Sequence, residues 1–181
     1  MFERDPLALW LLPALAVTSP VFAADYLTAE EAQRTLFPDA DGFTAQPVTL
    51  TDDQKSEIKQ LSGMRQRWDQ QDVWRAEREG KWIGWFIVDN VIGKHEFITY
   101  GLAVTPEGVV LGIEILSYRE THGGAVRNVE WRDLFKGKTL SDPFKLDEDI
   151  PNLSGATLSS RNVTDGVKRL LALQKVALPR E

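Results

Sequence analysis

Near the C-terminus, Ser154-Gly155-Ala156-Thr157-Leu158-Ser159-Ser160 sets hydroxyl side chains among residues small enough for a backbone to approach a bound group closely. An apolar periodic stretch follows. Val163, Val167, Leu170 and Leu171 fall at i, i+4, i+7, i+8, which predicts a helix beginning at Ser159 or Ser160. The first N–H groups of a helix lack intrahelical partners and carry the positive end of its dipole, so the loop entering it suits a phosphate. A plainer role is also open, in which Ser159 or Ser160 only caps the helix. Thr157 adds a hydroxyl that is a weak nucleophile at neutral pH and needs outside activation, and no base stands beside it in the chain.

Residues 119–130 are polar and glycine-bearing without periodicity and read as a loop, and its first part together with Tyr118 makes a second polar constellation, Tyr118-Arg119-Glu120-Thr121-His122-Gly123-Gly124. Glu120 offers a carboxylate, Thr121 a hydroxyl, His122 an imidazole, and the glycines offer accessible N–H groups. His95 and His122 are the sole imidazoles and there is no cysteine, so thiolate metal sites, disulfides and multi-histidine centres are excluded, and no metal ligand set is expected.

These loops need a framework. Thr28 with Glu31, and Thr51 with Gln54, have capping-box spacing and predict helices over 28–37 and 51–62, the second stopped at Gly63. Asp72 to Glu79 reads as a strand, and Trp82 to Val88 is apolar enough to be buried on both faces. Ile98, Tyr100, Leu102 and Val104 alternate, as do Val109, Leu111, Ile113 and Ile115. Thr105-Pro106-Glu107-Gly108 between them is a turn that closes an antiparallel hairpin. Trp131 to Phe135 is long enough for one helical turn. The pattern indicates an α+β fold, a twisted antiparallel sheet with flanking helices and a C-terminal helix entered by the Ser-Gly-Ala-Thr loop. Trp82 and Trp85 belong to its core.

The chain has 181 residues, enough for one domain with a real core. At a net charge of −6, and without a basic block, it is a poor nucleic-acid binder, because phosphate neutralisation needs clustered Lys and Arg. Residues 7–17 form an apolar run followed by Thr-Ser-Pro-Val-Phe-Ala, with small residues at Val21 and Ala23. That pattern predicts a signal peptide over 1–23, a single domain over 24–181, and an exported protein, periplasmic or held at the outer face of the inner membrane.

Ser154-Gly155-Ala156-Thr157 before a serine-bearing helix start resembles the flavinylation motif of the FMN-binding domain family. This family includes the G subunit of the Rnf complex, the C subunit of the sodium-pumping NADH:quinone reductase, and small exported electron carriers. The Glu120 loop occupies the place of the family's Glu-Thr-x-Gly loop, and the similarity covers about residues 91–175. The resemblance implies FMN as cofactor, with its phosphate esterified to Thr157 by a separate flavin transferase. It implies a close-approach loop of Ser154, Gly155 and Ala156, and phosphate donors at Ser159 and Ser160. It also implies that Glu120, Thr121, His122 and Gly123 lie against the flavin, with Trp131 a candidate neighbour of the ring. Function would then be electron transfer to or from a membrane redox partner protein. The family carries Asp three residues before the serine, where this chain has Pro151, and the nearest acid is Asp149. Two other readings stay open: a module that holds a nucleotide or phosphate reversibly without redox work, and a flavin-dependent reductase of a small molecule.

Overall fold

In the computed structural model, Thr28 Oγ1 accepts from Glu31 N–H at 3.2 Å, and the Glu31 carboxylate accepts from Thr28 N–H at 2.8 Å. This reciprocal box opens helix α1, Ala29–Leu36. Thr51 and Gln54 repeat it at the start of α2, Asp52–Ser62, which ends where Gly63 takes the left-handed conformation at φ 77°. Both helices lie where their sequence boxes predict. The structure describes residues 24–120 and 124–179. The expected signal peptide, and Thr121, His122 and Gly123 of the expected site, lie outside the described residues.

Between and after these helices the chain builds one antiparallel sheet. Its strands are β1 (Ala24–Asp25), β2 (Gly42–Ala45), β3 (Val48–Thr49), β4 (Gln70–Arg78), β5 (Lys81–Ile92), β6 (Phe97–Val104) and β7 (Val110–Tyr118). The order is β1-β7-β6-β5-β4-β2, with β3 beside β4. Helices α3 (Val129–Asp133) and α4 (Thr157–Ala177) follow, α3 preceded by a 3-10 turn at Gly124–Arg127. The antiparallel sheet with flanking helices and a C-terminal helix is the expected α+β fold.

The sheet is covered on both faces, which explains the apolar run in β5. Trp85 and Ile87 join the larger core with Ile98, Tyr100, Leu102 and Val104 of β6 and with Val163, Val167, Leu170 and Leu171 of α4. Phe86 turns the other way, into a smaller core with Ala32 and Phe37 beneath α1. Helix α4 packs on α2 over the larger core.

Three expectations need correction. Leu111 does not share a face with Ile113. The β6–β7 register slips between Ala103 and Val104, and the bulge sends Leu111 to the smaller core while Val110 enters the larger one. The predicted loop over 119–130 is cut short by the 3-10 turn and by α3, which Asn128 caps by accepting from Glu130 N–H at 3.0 Å. Most important for function, α4 begins at Thr157 and not at Ser159 or Ser160.

Candidate functional site

The entry to α4 is built by backbone. Ala156 N–H donates to Leu153 C=O at 2.9 Å, and Gly155 turns the chain at φ 76°, a conformation that suits a residue without Cβ. Ala156 then stands at the N-cap with no side-chain cap. The first intrahelical bond runs from Ser160 N–H to Ala156 C=O at 2.8 Å. The N–H groups of Thr157, Leu158 and Ser159 precede that bond and have no protein acceptor among the described residues. Thr157 Oγ1 likewise makes no hydrogen bond among the described residues, and Thr157 is half-buried, with Ser154 and Gly155 exposed beside it. A free hydroxyl, three free N–H groups and a helix dipole therefore converge at one surface point.

Ser159 and Ser160 face inward instead. Ser160 is fully buried, and its hydroxyl lies 3.1 Å from Thr157 C=O and 3.4 Å from Asn152 Oδ1. Ser159 is buried as well, with its hydroxyl 3.3 Å from that of Tyr118. Both serine hydroxyls are spent inside the fold, which leaves the backbone N–H groups as the donors that face outward.

The Tyr118–Ser159 contact joins the two constellations read from the sequence. Tyr118 ends β7, and Arg119 and Glu120 follow it directly. Glu120 turns its carboxylate into the turn between β5 and β6, where Oε1 accepts from Glu96 N–H at 3.0 Å and from His95 N–H. Burial works against ionisation of Glu120, but the N–H groups of Glu96, His95 and Lys94 outweigh it and hold the carboxyl below the usual carboxylate range. Gly93 makes room for this arrangement, since a Cβ there would lie 2.6 Å from Glu120 Oε1. The same turn is tied to α4 by Asn162, whose side-chain amide donates to Ile92 C=O at 2.6 Å.

Two further contacts hold the approach to α4. Trp131 Nε1 donates to Pro151 C=O at 3.1 Å, and its ring packs edge-on against Phe135 with centroids 5.0 Å apart. Trp131 is thus buried in the core and not open to a ligand ring. Asp149, the acid nearest to the place of the family's Asp, accepts from Lys138 Nζ at 2.8 Å, Lys145 N–H at 2.7 Å and Phe144 N–H at 3.2 Å. Burial opposes its ionisation, yet Lys138 and these N–H groups keep its pKa low.

The sequence reading did not find Asp89 and Arg169. Asp89 Oδ2, in the middle of β5, accepts from Tyr100 Oη at 2.9 Å and from Arg169 of α4, which also bonds Gln66. No local signal marks this pair, because its members stand 80 residues apart. Burial lifts the pKa of Asp89, while Arg169 and Tyr100 pull it back.

Residues 93–172 match the family model for the FMN-binding domain. The chain carries an FMN-binding domain, and FMN is its cofactor. Over 114 residues it is 29% identical to the G subunit of the ion-translocating oxidoreductase complex of Stutzerimonas stutzeri, covering 57% of this chain and 50% of that one. Over 160 residues it is 29% identical to the G subunit of the proton-translocating ferredoxin:NAD(+) oxidoreductase complex of Clostridium ljungdahlii, covering 84% and 75%. The chain thus spans half the length of the first of these relatives. Two solved structures share the fold of this FMN-binding domain. Shewanella oneidensis NqrC superposes with a TM-score of 0.55 at 17% identity, covering 82% of this chain and 92% of that one. The C subunit of the Na(+)-translocating NADH-quinone reductase of Parabacteroides distasonis gives 0.51 at 14% identity, covering 78% and 79%.

The α4 entry fits such a cofactor at its phosphate end. A Cβ at Gly155 would meet open space, so nothing crowds the loop, and the free N–H groups aim where a phosphate would stand.

Proposed function

We propose that this protein is an exported electron-transfer flavoprotein whose FMN is joined through its phosphate to Thr157. The observation that carries the reading is the position of Thr157 as the first residue of α4, with a free hydroxyl beside N–H groups that lack acceptors. Joined there, the phosphate keeps a negative charge, which the helix N-terminus stabilises. The flavin itself supplies the redox chemistry. The protein's share is to hold and orient: Tyr118 and Ser159 fix the helix start against the end of β7, and Trp131 fixes the strand of chain that leads into the loop. Among the described residues no general base is bonded to the Thr157 hydroxyl, so the ester bond would be made by a separate flavin transferase.

The relatives named as oxidoreductase complex subunits support a membrane redox complex as the partner, with this chain passing electrons between proteins. The apolar run over residues 7–17 supports export. Among the described residues, no helix is long and apolar enough to cross a membrane.

The test is coexpression with a flavin transferase, followed by denaturation and intact-mass measurement. An FMN-sized increment is expected on the unmutated chain and on Ser154→Ala, and none on Thr157→Ala. An unmutated chain that stays at its bare mass refutes the covalent bond. Pro151, in the place of the family's Asp, favours a second reading in which FMN is held reversibly. Flavin that binds and then washes out on dialysis would decide for it.

A further inference from the structure

Tyr26 and Arg127 come from opposite ends of the chain's sheet-forming part and meet beside the site. Strand β1 pairs with the end of β7, Ala24 opposite Tyr118, and Tyr26 continues it by donating its N–H to Leu116 C=O at 2.8 Å. The Tyr26 ring is 39% exposed, and the Arg127 guanidinium stands over it, 4.3 Å from the ring centroid. At that distance the ring face attracts the cation. Arg127 Nε also donates to Gly124 C=O at 3.3 Å. Gly124 leaves space for this, since a Cβ there would lie 2.8 Å from Arg127 Nη2. The Arg127 backbone is fixed in turn by Arg132, whose Nε donates to Arg127 C=O at 3.2 Å.

Among the described residues no carboxylate forms an ion pair with Arg127, whereas Arg132 pairs with Glu114. Glu120, the carboxylate that ends the same loop on its other side, is already held by backbone N–H groups of the β5–β6 turn. An unpaired guanidinium pinned in place by an aromatic ring, a carbonyl and a glycine has the form of a charge held for a ligand.

Its position relates it to the attachment loop. Arg127 stands over Tyr26, which follows the strand paired with Tyr118 at the end of β7; burial raises the pKa of the Tyr118 hydroxyl, and the charge of Arg127 works against that rise. The same hydroxyl lies 3.3 Å from Ser159, in the first turn of α4 with Thr157.

We infer that Arg127, clamped over Tyr26, is a positioning residue that sets its positive charge against the ring of the bound FMN and so raises its reduction potential. The inference rests on FMN lying at the α4 entry. It places phosphate binding on the helix N-terminus and ring electrostatics on Arg127. When a two-electron donor such as dithionite reduces the flavin, two electrons and one proton from solvent are taken up, and one negative charge remains on the ring. Arg127 keeps its own proton throughout, and its charge favours that product over the neutral oxidised ring.

The experiment is a redox titration of the FMN-loaded protein with dithionite, on the unmutated chain, Arg127→Gln, Arg127→Lys and Tyr26→Ala. Arg127→Gln is expected to weaken the preference for the reduced flavin about tenfold, which is about 30 mV more negative for a two-electron couple. Arg127→Lys, which keeps the charge, recovers most of the loss. Tyr26→Ala, which frees the guanidinium, shows an intermediate loss. The effect shrinks at about 1 M salt, where the Debye length is about 3 Å. A merely structural role for Arg127 would change the thermal midpoint and leave the potential and its salt dependence alone. Equal potentials for the unmutated chain and Arg127→Gln, both loaded, overturn the inference whether the FMN is covalent or reversibly held. A bare mass on denaturation refutes only the ester to Thr157, because reconstituted protein still gives the potential. An unmutated chain that binds no FMN at all overturns both.

Discussion

The hydroxyls of Tyr118 and Ser159 lie 3.3 Å apart, both side chains buried. One residue ends β7 and leads into the Glu120 loop, and the other stands in the first turn of α4. With the Asn162–Ile92 bond, this contact ties the sheet to the N-terminal part of the helix. Tyr118→Phe keeps the ring and removes the hydroxyl, so the expected loss of stability is about 0.5–1.5 kcal/mol in urea unfolding. The sharper expectation concerns flavin attachment: transferase-dependent FMN loading should slow more than the stability change accounts for. Loading at the unmutated rate would show that the helix entry holds its place without this tie.

Glu120 gives a pH-dependent signature. Its carboxyl pKa is depressed in the folded protein, because the opposing effect of burial is outweighed by backbone N–H groups. A depressed carboxylate contributes stability above its unfolded-state pKa and loses it as pH falls through the folded value. The amide resonances of His95 and Glu96 should therefore shift together on acidification from about pH 5 toward about pH 2, a range over which such carboxylates protonate. Glu120→Gln should abolish that joint titration. Amides that stay unmoved in the unmutated chain would mean that Glu120 does not cap the β5–β6 turn in solution.

What could be read from the sequence divides by range. Thr28 with Glu31 and Thr51 with Gln54 are complete capping devices within four residues, so each announces its helix without help from the rest of the fold. The alternation of Ile98, Tyr100, Leu102 and Val104 is equally local, and all four are buried together. The start of α4 escaped this logic because its N-cap is Ala156, which carries no capping group. The turn at Gly155 and the Leu153–Ala156 bond set the helix origin, while Ser159 and Ser160, which look like caps, bond elsewhere. Leu111 was misassigned because a bulge is a property of two paired strands, not of one. Strands β1, β2 and β3 span two to four residues each, too short for alternation to register. At the site, the Ser154–Thr157 loop could be picked out by residue type as the entry to the last helix, but the inward turn of Glu120 depended on a turn 24 residues away.

The buried pair of Asp89 and Arg169 predicts an asymmetry between single and double substitution. Asp89 is 1% exposed and Arg169 6%, so neither charge can fall back on water. Asp89→Ala strands the guanidinium and is expected to cost about 3–5 kcal/mol, as for other buried pairs broken on one side. Replacing both, as in Asp89→Ala with Arg169→Met, should recover a large part of that loss, because no buried charge is left unpaired. Urea unfolding of the four proteins in the cycle checks it. A double variant less stable than Asp89→Ala alone would show that Arg169 stabilises through Gln66 instead.

Trp131 offers a way to loosen the attachment loop without touching it. Its indole N–H donates to Pro151 C=O at 3.1 Å, while its ring sits in the larger core against Phe135. Trp131→Phe keeps an aromatic ring there and removes the donor, leaving the Pro151 carbonyl without this partner. The lost bond and smaller ring together should lower stability by about 1–3 kcal/mol. The segment between Pro151 and Thr157 has few other anchors: Asn152 N–H to Asp147 at 3.1 Å, the long Asn152–Ser160 contact, and the Leu153–Ala156 turn. Release at Pro151 should therefore raise amide exchange over residues 152–156 while the amides of β5 and β6 stay protected, and mass-resolved exchange will separate the two. FMN loading by the transferase should change along with it. Faster loading would mean that the loop must leave its resting position to reach the transferase, and slower loading that the resting position is the one the transferase recognises. Exchange that rises evenly across the domain, with loading unchanged, would reduce Trp131 to a core residue with no hold on the loop.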